Sequence, residues 1–471
     1  MKERRGLFMK YISIMFILFL LISPLSSSEI GEKNVIEFFK TRIAEKLCSG
    51  VVIGIFENGA TRFINVGHHS YENKKPVDER AFFAIGSVTK VFTALLLAKC
   101  IQADILTGRE KLSYFYPGLK KSKDKRLCKI TPLLLASHRS GLARLPSNMT
   151  PVDNLDPYAG YSPKQLLSYL MDCKLEMEPG KIYAYSNLGF GLLGYILSKQ
   201  SKISYSELLL RDIFRPLEMS DAKPAYFKNS HDENIVSPVN QLYPAKHWSN
   251  GTLAGCYSIY LTPIDFMKFM QAQFEPPKIL KKAINFLKSE WFPTPHKGMS
   301  IGIGWHCFDN KDNKIIWHNG SAGGFRSFLG FDDKKRKGVF ILSNGTESVD
   351  SPALHLLNAK YPLPKIKKSI KLKPVILDKY TGIFETKTGF TFTIKRIKEH
   401  LWVKLKGQDF NPLWPESETF FFYRIVPATI QFMKDNKGNI DSIVFQQNGN
   451  KTIASRKNQL KNPLLLNGEE R

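Results

Sequence analysis

The 471-residue sequence predicts an α/β (α+β) sandwich, an antiparallel sheet with helices on its faces plus a helical subdomain, followed by a separate C-terminal antiparallel β-barrel. Three observations carry that expectation. β-rich runs stand at both ends of a long helical middle, a Pro- and Lys-rich stretch interrupts the composition at residues 361–374, and the chain beyond it alternates in short strand-like runs. The length exceeds one ordinary domain. With 43% hydrophobic and 12% aromatic residues, the composition belongs to a folded chain rather than a disordered one.

The N-terminus reads as an export signal. Lys2, Arg4, Arg5 and Lys10 form a positive region, residues 11–22 form an apolar one, and Ser26, Ser27 and Ser28 suit cleavage. A spanning helix needs roughly 20 apolar residues, and this run is shorter, bounded by Lys10 and Pro24. The pattern predicts a signal peptide over 1–28 and a periplasmic or secreted mature protein.

Apolar Val35, Phe38, Phe39 and Ile43 predict a helix over 35–48. The runs 51–56 and 61–66, separated by a turn with Asn58-Gly59, predict a hairpin. Residues 87–274 read as helical, broken by Pro/Gly-rich loops, and strands return at 315–317, 326–331 and 338–342. A first domain over 29–361 then gives way to a linker over 362–374, where Pro362, Pro364 and Pro374 alternate with lysines. In the last domain, 375–471, the runs Phe390-Phe392-Ile394, Leu401-Val403-Leu405, Phe421-Tyr423-Ile425, Ile430-Phe432 and Ile443-Phe445 predict a small barrel. Turns at Lys406-Gly407, residues 436–439 and Asn448-Gly449 separate several of them.

The net charge of +26 is spread over runs at 120–126, 334–337 and 365–373, without interleaved aromatics. That pattern excludes a recognisable nucleic-acid module and leaves a solvated surface or weak attraction to an anionic cell envelope. The six cysteines lie far apart, with no CxxC or Cys/His cluster, so no metal is expected. Disulfides and buried small hydrophobes both remain open for them.

The chemistry concentrates in three segments. In the first, Ser87-Val-Thr-Lys90 opens an apolar helix, so Ser87 lies at its N-terminus and Lys90 one turn later on the same face. Helix-end N–H groups favour developing negative charge, and a Lys among apolar neighbours can serve as a base. Ser122 to Lys125 and Ser220 to Lys223 repeat the spacing, but neither opens an apolar helix. In the second, Tyr185-Ser186-Asn187 precedes the apolar run 188–197. Tyr185 can take the Ser87 proton and return it to a leaving group. Asn187 offers an amide suited to holding Lys90 and a substrate amide. Tyr71-Glu72-Asn73 repeats the pattern without a following helix. In the third, Trp317-His318-Asn319-Gly320-Ser321 joins two predicted strands. His318, Gly320 and Ser321 there can bind an extended substrate, and backbone N–H groups can complete an oxyanion hole with Ser87. A literal Lys387-Thr388-Gly389 lies in the β-rich tail, where a turn explains it.

These elements, in this order, resemble the serine β-lactamase and penicillin-binding protein family. The nearest branch holds class C β-lactamases, D-Ala-D-Ala carboxypeptidases, D-aminopeptidases and esterases. Residues 137–142, 213–217, 302–305 and 339–344 extend the likeness, and Tyr380 to Phe384 with the strands after it resembles a lipocalin-like domain. The resemblance implies an acyl-enzyme on Ser87, with Lys90 and Tyr185 handling the proton. It places the oxyanion on the backbone amides of Ser87 and Ser321 and requires no cofactor. Which of Lys90 and Tyr185 is the acylation base stays open. A peptide, ester or lactam is the implied substrate. The family's β-lactamases generally carry Lys where His318 stands, and an unperturbed His, with a pKa of about 6.5, is mostly neutral at neutral pH. Arg326 is the alternative cation. A D-amino-acid peptidase or esterase is therefore favoured over a true β-lactamase or a non-catalytic penicillin- or peptidoglycan-binding sensor. Glu218 also replaces the family's usual Gly.

Overall fold

The structure is a computed structural model that describes residues 27–226, 233–239, 245–310, 313–405, 410–424, 428–447 and 450–457. The expected signal peptide, apart from Ser27 and Ser28, lies outside the described residues. The chain forms two compact units, residues 1–364 and 365–471. Among the described residues no helix is long and apolar enough to cross a membrane.

In the first unit, helix α1 (Ser27–Ala44) starts earlier than its apolar spacing predicts and stops before Cys48. The stop follows from the backbone: Lys46 takes a left-handed φ of 56°, and Cys48 already pairs in a strand. Strands β1 (Cys48–Glu57) and β2 (Ala60–Gly67) form the expected hairpin, with Ile53 opposite Ile64. Asn58 and Gly59 both have positive φ, as a primed two-residue turn requires.

The helical middle contains α2 (Thr89–Gln102), α3 (Asn187–Ser201), α4 (Pro263–Gln271) and further helical segments, among them Pro163–Asp172. Helix α2 is buried almost all round, as its continuous apolar run demands. Its Phe92 stacks on Phe269 of α4 at 4.0 Å between ring centroids. Buried aromatic pairs of this kind stabilise by about 1 kcal/mol beyond area burial. Glu218, where the resemblance expects Gly, does take a glycine-like φ of 54°.

After these helices come β3 (Phe292–Pro293), β4 (Met299–Ile301), β5 (His306–Asn310), β6 (Asn313–Ala322), β7 (Phe325–Asp332) and β8 (Lys337–Gly345). The antiparallel sheet has the order β2-β1-β8-β7-β6-β5-β4-β3. Strands β6 to β8 outrun their apolar cores because paired neighbours extend them through polar residues. Strands β3 to β5 carry little strand signal in the sequence, being short and lying among Pro293, Pro295 and Gly298. Helix α5 (Asp350–Leu357) follows and lies against β7 and β8.

The second unit is a closed antiparallel barrel of eight strands, the architecture expected of the tail. Its strands are β9 (Gly382–Glu385), β10 (Thr391–Ile397), β11 (His400–Leu405), β12 (Phe410–Pro415), β13 (Phe420–Phe422), β14 (Ala428–Lys434), β15 (Ile440–Gln447) and β16 (Asn450–Arg456). Phe384, Phe392, Val403, Phe421, Ile430 and Phe432 fill its core, with Tyr380 packed 4.5 Å from Phe432. Strands β12 and β16 lack clean apolar alternation and were not read from sequence. Ile425 and the turns at Lys406-Gly407 and Asn448-Gly449 lie outside the described residues. All six cysteines are free, and all but Cys128 are buried.

Candidate active site

Ser87 sits in a 3₁₀ turn, Gly86–Val88, that runs directly into α2. The Lys90 Nζ donates to Ser87 Oγ at 2.9 Å and to the Cys256 carbonyl at 2.9 Å. Lys90 is fully buried, whereas Ser87 is half-buried and so within reach of a substrate. The loop carrying Cys256 is tied to the same helix face. Thr93 Oγ1 donates to the Gly255 carbonyl at 2.6 Å, and the Ile259 N–H donates to Thr89 Oγ1 at 3.2 Å. These bonds fix both ends of the Lys90 side chain.

Strand β6 closes against the serine turn. Gly86 has a φ of 50°, and a β-carbon there would lie 2.6 Å from the Ser321 nitrogen. A β-carbon at Gly320 would collide with the Ile85 carbonyl oxygen. Ser327 Oγ donates to that same carbonyl at 2.7 Å. Two glycines therefore let the backbone of Gly320-Ser321 lie directly on the turn that holds Ser87.

Tyr185 lies beside this pair, with the Lys90 Nζ 5.0 Å from its ring centroid. Ser186 caps α3: its hydroxyl accepts the Gly189 N–H at 2.9 Å and donates to the Ala143 carbonyl at 2.7 Å. Asn187 makes no hydrogen bond to Lys90, and its Oδ1, the acceptor a lysine would need, is buried without a partner among the described residues. Its Nδ2 donates to the Tyr158 hydroxyl at 2.9 Å, and Lys90 is held by the Cys256 carbonyl instead. The physical reason is position: Asn187 is the first residue of α3, and Tyr158, stacked on Tyr257, meets its amide there.

Two buried imidazoles flank the tyrosine ring, and a third lies beyond them. His138 lies 4.3 Å from the Tyr185 ring between centroids, His306 6.4 Å, and His318 5.1 Å from His306. His138 Nδ1 accepts the Ser186 N–H at 3.0 Å, which puts its proton on Nε2. His318 Nδ1 faces the Asn319 carbonyl at 2.6 Å and must donate to it, leaving Nε2 as an acceptor. Burial first, then the neighbouring His306 and Lys90, hold His318 well below its ordinary pKa. Burial and Lys90 do the same for His138, and His306 falls to about 4. All three rings are neutral at neutral pH, so His318 supplies no positive charge. Among the described residues, no group of three or more His, Cys, Asp or Glu is placed to hold a metal ion.

The other sequence candidates are accounted for locally. Arg326 Nε donates to the Thr346 carbonyl at 2.7 Å, and its guanidinium faces Asp350 and Glu347. It therefore does not replace the missing lysine. Ser122 donates to the Asp124 carbonyl and Lys125 to the Lys120 carbonyl, so that pair never meets. The backbone N–H groups of Asp221 and Ala222, inside the third Ser-x-x-Lys, are held by Asp265, and the Tyr71 hydroxyl donates to the Cys48 carbonyl. His138 and His306 had carried no assigned role. Both lie in or beside segments of the resemblance, 137–142 and 302–305, which was their only signal.

A family described as Beta-lactamase matches residues 35–361, and a Domain of unknown function (DUF3471) matches 367–457. Penicillin-binding protein 4* of Bacillus subtilis (strain 168) is 24% identical over 83% of this chain and 92% of its own. The Beta-lactamase of Escherichia coli (strain K12) is 24% identical over 64% of this chain and 85% of its own. Protein flp of Staphylococcus aureus is 25% identical over 71% of this chain, which spans 64% of that protein. A class C beta-lactamase structure superposes with a TM-score of 0.62, at 21% identity, over 73% of this chain and 99% of its own.

Proposed function

The chain belongs to the Beta-lactamase family, and we propose that it is an exported serine hydrolase that forms an acyl-enzyme on Ser87. The observation that carries this reading is the 2.9 Å bond between Lys90 Nζ and Ser87 Oγ, set in a turn packed on the Ser321 backbone. Ser87 Oγ adds to the substrate carbonyl carbon, and its proton passes to the Lys90–Tyr185 pair. The backbone N–H groups of Ser87 and Ser321 hold the resulting oxyanion. Collapse expels the amine or alcohol, which takes that proton, and water then releases the acid and regenerates Ser87.

Asn187 and Ser321 face the substrate side, with His318 and Gly320 buried directly behind them. A neutral His318 favours a D-amino-acid peptidase or esterase over a β-lactamase that relies on a lysine there. The export part of the reading rests on the basic and apolar pattern of residues 2–28. The test is a panel of D-amino-acid peptides, p-nitrophenyl esters and nitrocefin. Peptide or ester hydrolysis that disappears in Ser87→Ala is expected. Nitrocefin turnover exceeding both would overturn the preference.

A further inference from the structure

The site lacks the lysine that would meet a substrate carboxylate, yet among the described residues one uncommitted cation stands at its mouth. Arg144 is exposed, and its guanidinium carbon lies 5.1 Å from the Tyr185 ring centroid. Its backbone is pinned to the start of α3, where its carbonyl accepts the N–H groups of Asn187 and Leu188 at 3.0 and 3.1 Å. The guanidinium makes no ion pair with any described residue, and its charge reaches His138 and Tyr183.

The other positive groups nearby are committed. Lys90 is buried and divided between Ser87 and Cys256. Arg326 is turned to Thr346 and Asp350. Arg139 donates to the Gly180 carbonyl and stacks on Phe292 at 3.8 Å. His318 is buried, with Nδ1 bonded to Asn319. A guanidinium held over an aromatic face keeps its fork of donors free for a planar anion, and carboxylate matches that fork in two parallel bonds.

We infer that Arg144 is a specificity-determining residue that binds a carboxylate of the substrate, within about one residue's length (~3.8 Å between Cα atoms) of the scissile bond. The substrate class is then an acyl donor with a free carboxylate, such as a peptide ending close to the cleaved bond, rather than a neutral ester. This rests on the acyl-enzyme reading for its chemistry, though the contact itself is a binding contact and is tested as one.

The test compares N-acetyl-D-alanyl-D-alanine with its C-terminal amide. Equilibrium binding is measured calorimetrically to the full chain carrying Ser87→Ala, so that turnover does not intervene. The acid should bind at least tenfold tighter than the amide. Adding Arg144→Ala should erase that preference by weakening the acid alone, and Arg144→Lys should restore part of it. Equal binding of acid and amide, no binding of either, or an Arg144→Ala loss shared by both would overturn the inference. A wild-type protein without an adduct on Ser87 would defeat the acyl-enzyme reading separately, leaving the binding result to decide the role of Arg144.

Discussion

Two glycine-ended tripeptides, His318-Asn319-Gly320 and Lys387-Thr388-Gly389, occupy opposite kinds of structure in this chain. The first lies inside β6, paired to β7 just beyond the point where the β5 pairing ends at Trp317, with its glycine against the Ile85 carbonyl. The second is a turn between β9 and β10. The Gly389 N–H donates to the Thr386 carbonyl at 3.0 Å, and among the described residues a β-carbon at Gly389 would meet nothing nearer than Glu385 at 3.9 Å. Gly320 is small because another backbone must touch it. Gly389 is a glycine because its φ is 79°. The difference teaches that a motif acquires chemistry from the backbone it is packed on, and the letters alone do not supply it.

The comparison breaks most visibly at the glycines. Gly320→Ala or Gly86→Ala should push the Ser321 backbone off the serine turn and cost on the order of 10²–10³ in kcat, the loss typical of one oxyanion donor. Circular dichroism alongside the kinetics separates this from unfolding. Gly389→Ala should instead destabilise the barrel by about 1 kcal/mol, through left-handed strain alone, and leave hydrolysis within about twofold. Equal kinetic losses at 320 and 389 would erase the distinction.

The imidazoles around His318 sharpen it through pH. His306 is held at about 4 in the fold against 6.5 ordinarily. Between those values the unfolded chain takes the proton first, so stability present above pH 6.5 is lost as pH falls toward 4. That loss is on the order of 3 kcal/mol for this group. Urea unfolding across the window should show a shallower decline in His306→Gln than in wild type. Identical slopes would contradict a buried neutral ring.

A smaller effect is expected at Asn187. Tyr158→Phe removes the hydroxyl that its amide bonds, and should lower kcat/KM about fivefold, equivalent to roughly 1 kcal/mol. An unchanged value would show that the amide needs no anchor. Smallest of all, Lys387→Ala should leave hydrolysis unaltered, and a loss like that of His318→Ala would reverse the assignment of the third segment.

Much of this was legible in the chain. The hairpin at Asn58-Gly59, the apolar helix after Ser87, the strand-turn-strand at 317–331 and the barrel each follow from local periodicity and turn chemistry. What stayed hidden depends on distant partners. Strands β3 to β5 exist because β6 offers an edge, and their own residues barely favour strand. Asn187 Nδ2 meets the Tyr158 hydroxyl because residues 29 positions apart converge at the head of α3. Arg144 carries no motif, and its relation to Tyr185 appears only once its carbonyl caps that helix. His138 and His306 could be noticed in sequence, but their burial beside Tyr185 could not.

Which serine is acylated decides the chemistry of this chain. A fluorescent fluorophosphonate incubated with the full chain should give one covalent adduct, mapped by peptide mass spectrometry to the segment containing Ser87 and abolished by Ser87→Ala. An adduct on Ser122 or Ser220, or none on a protein whose circular dichroism shows it folded, would contradict the site proposed for this chain.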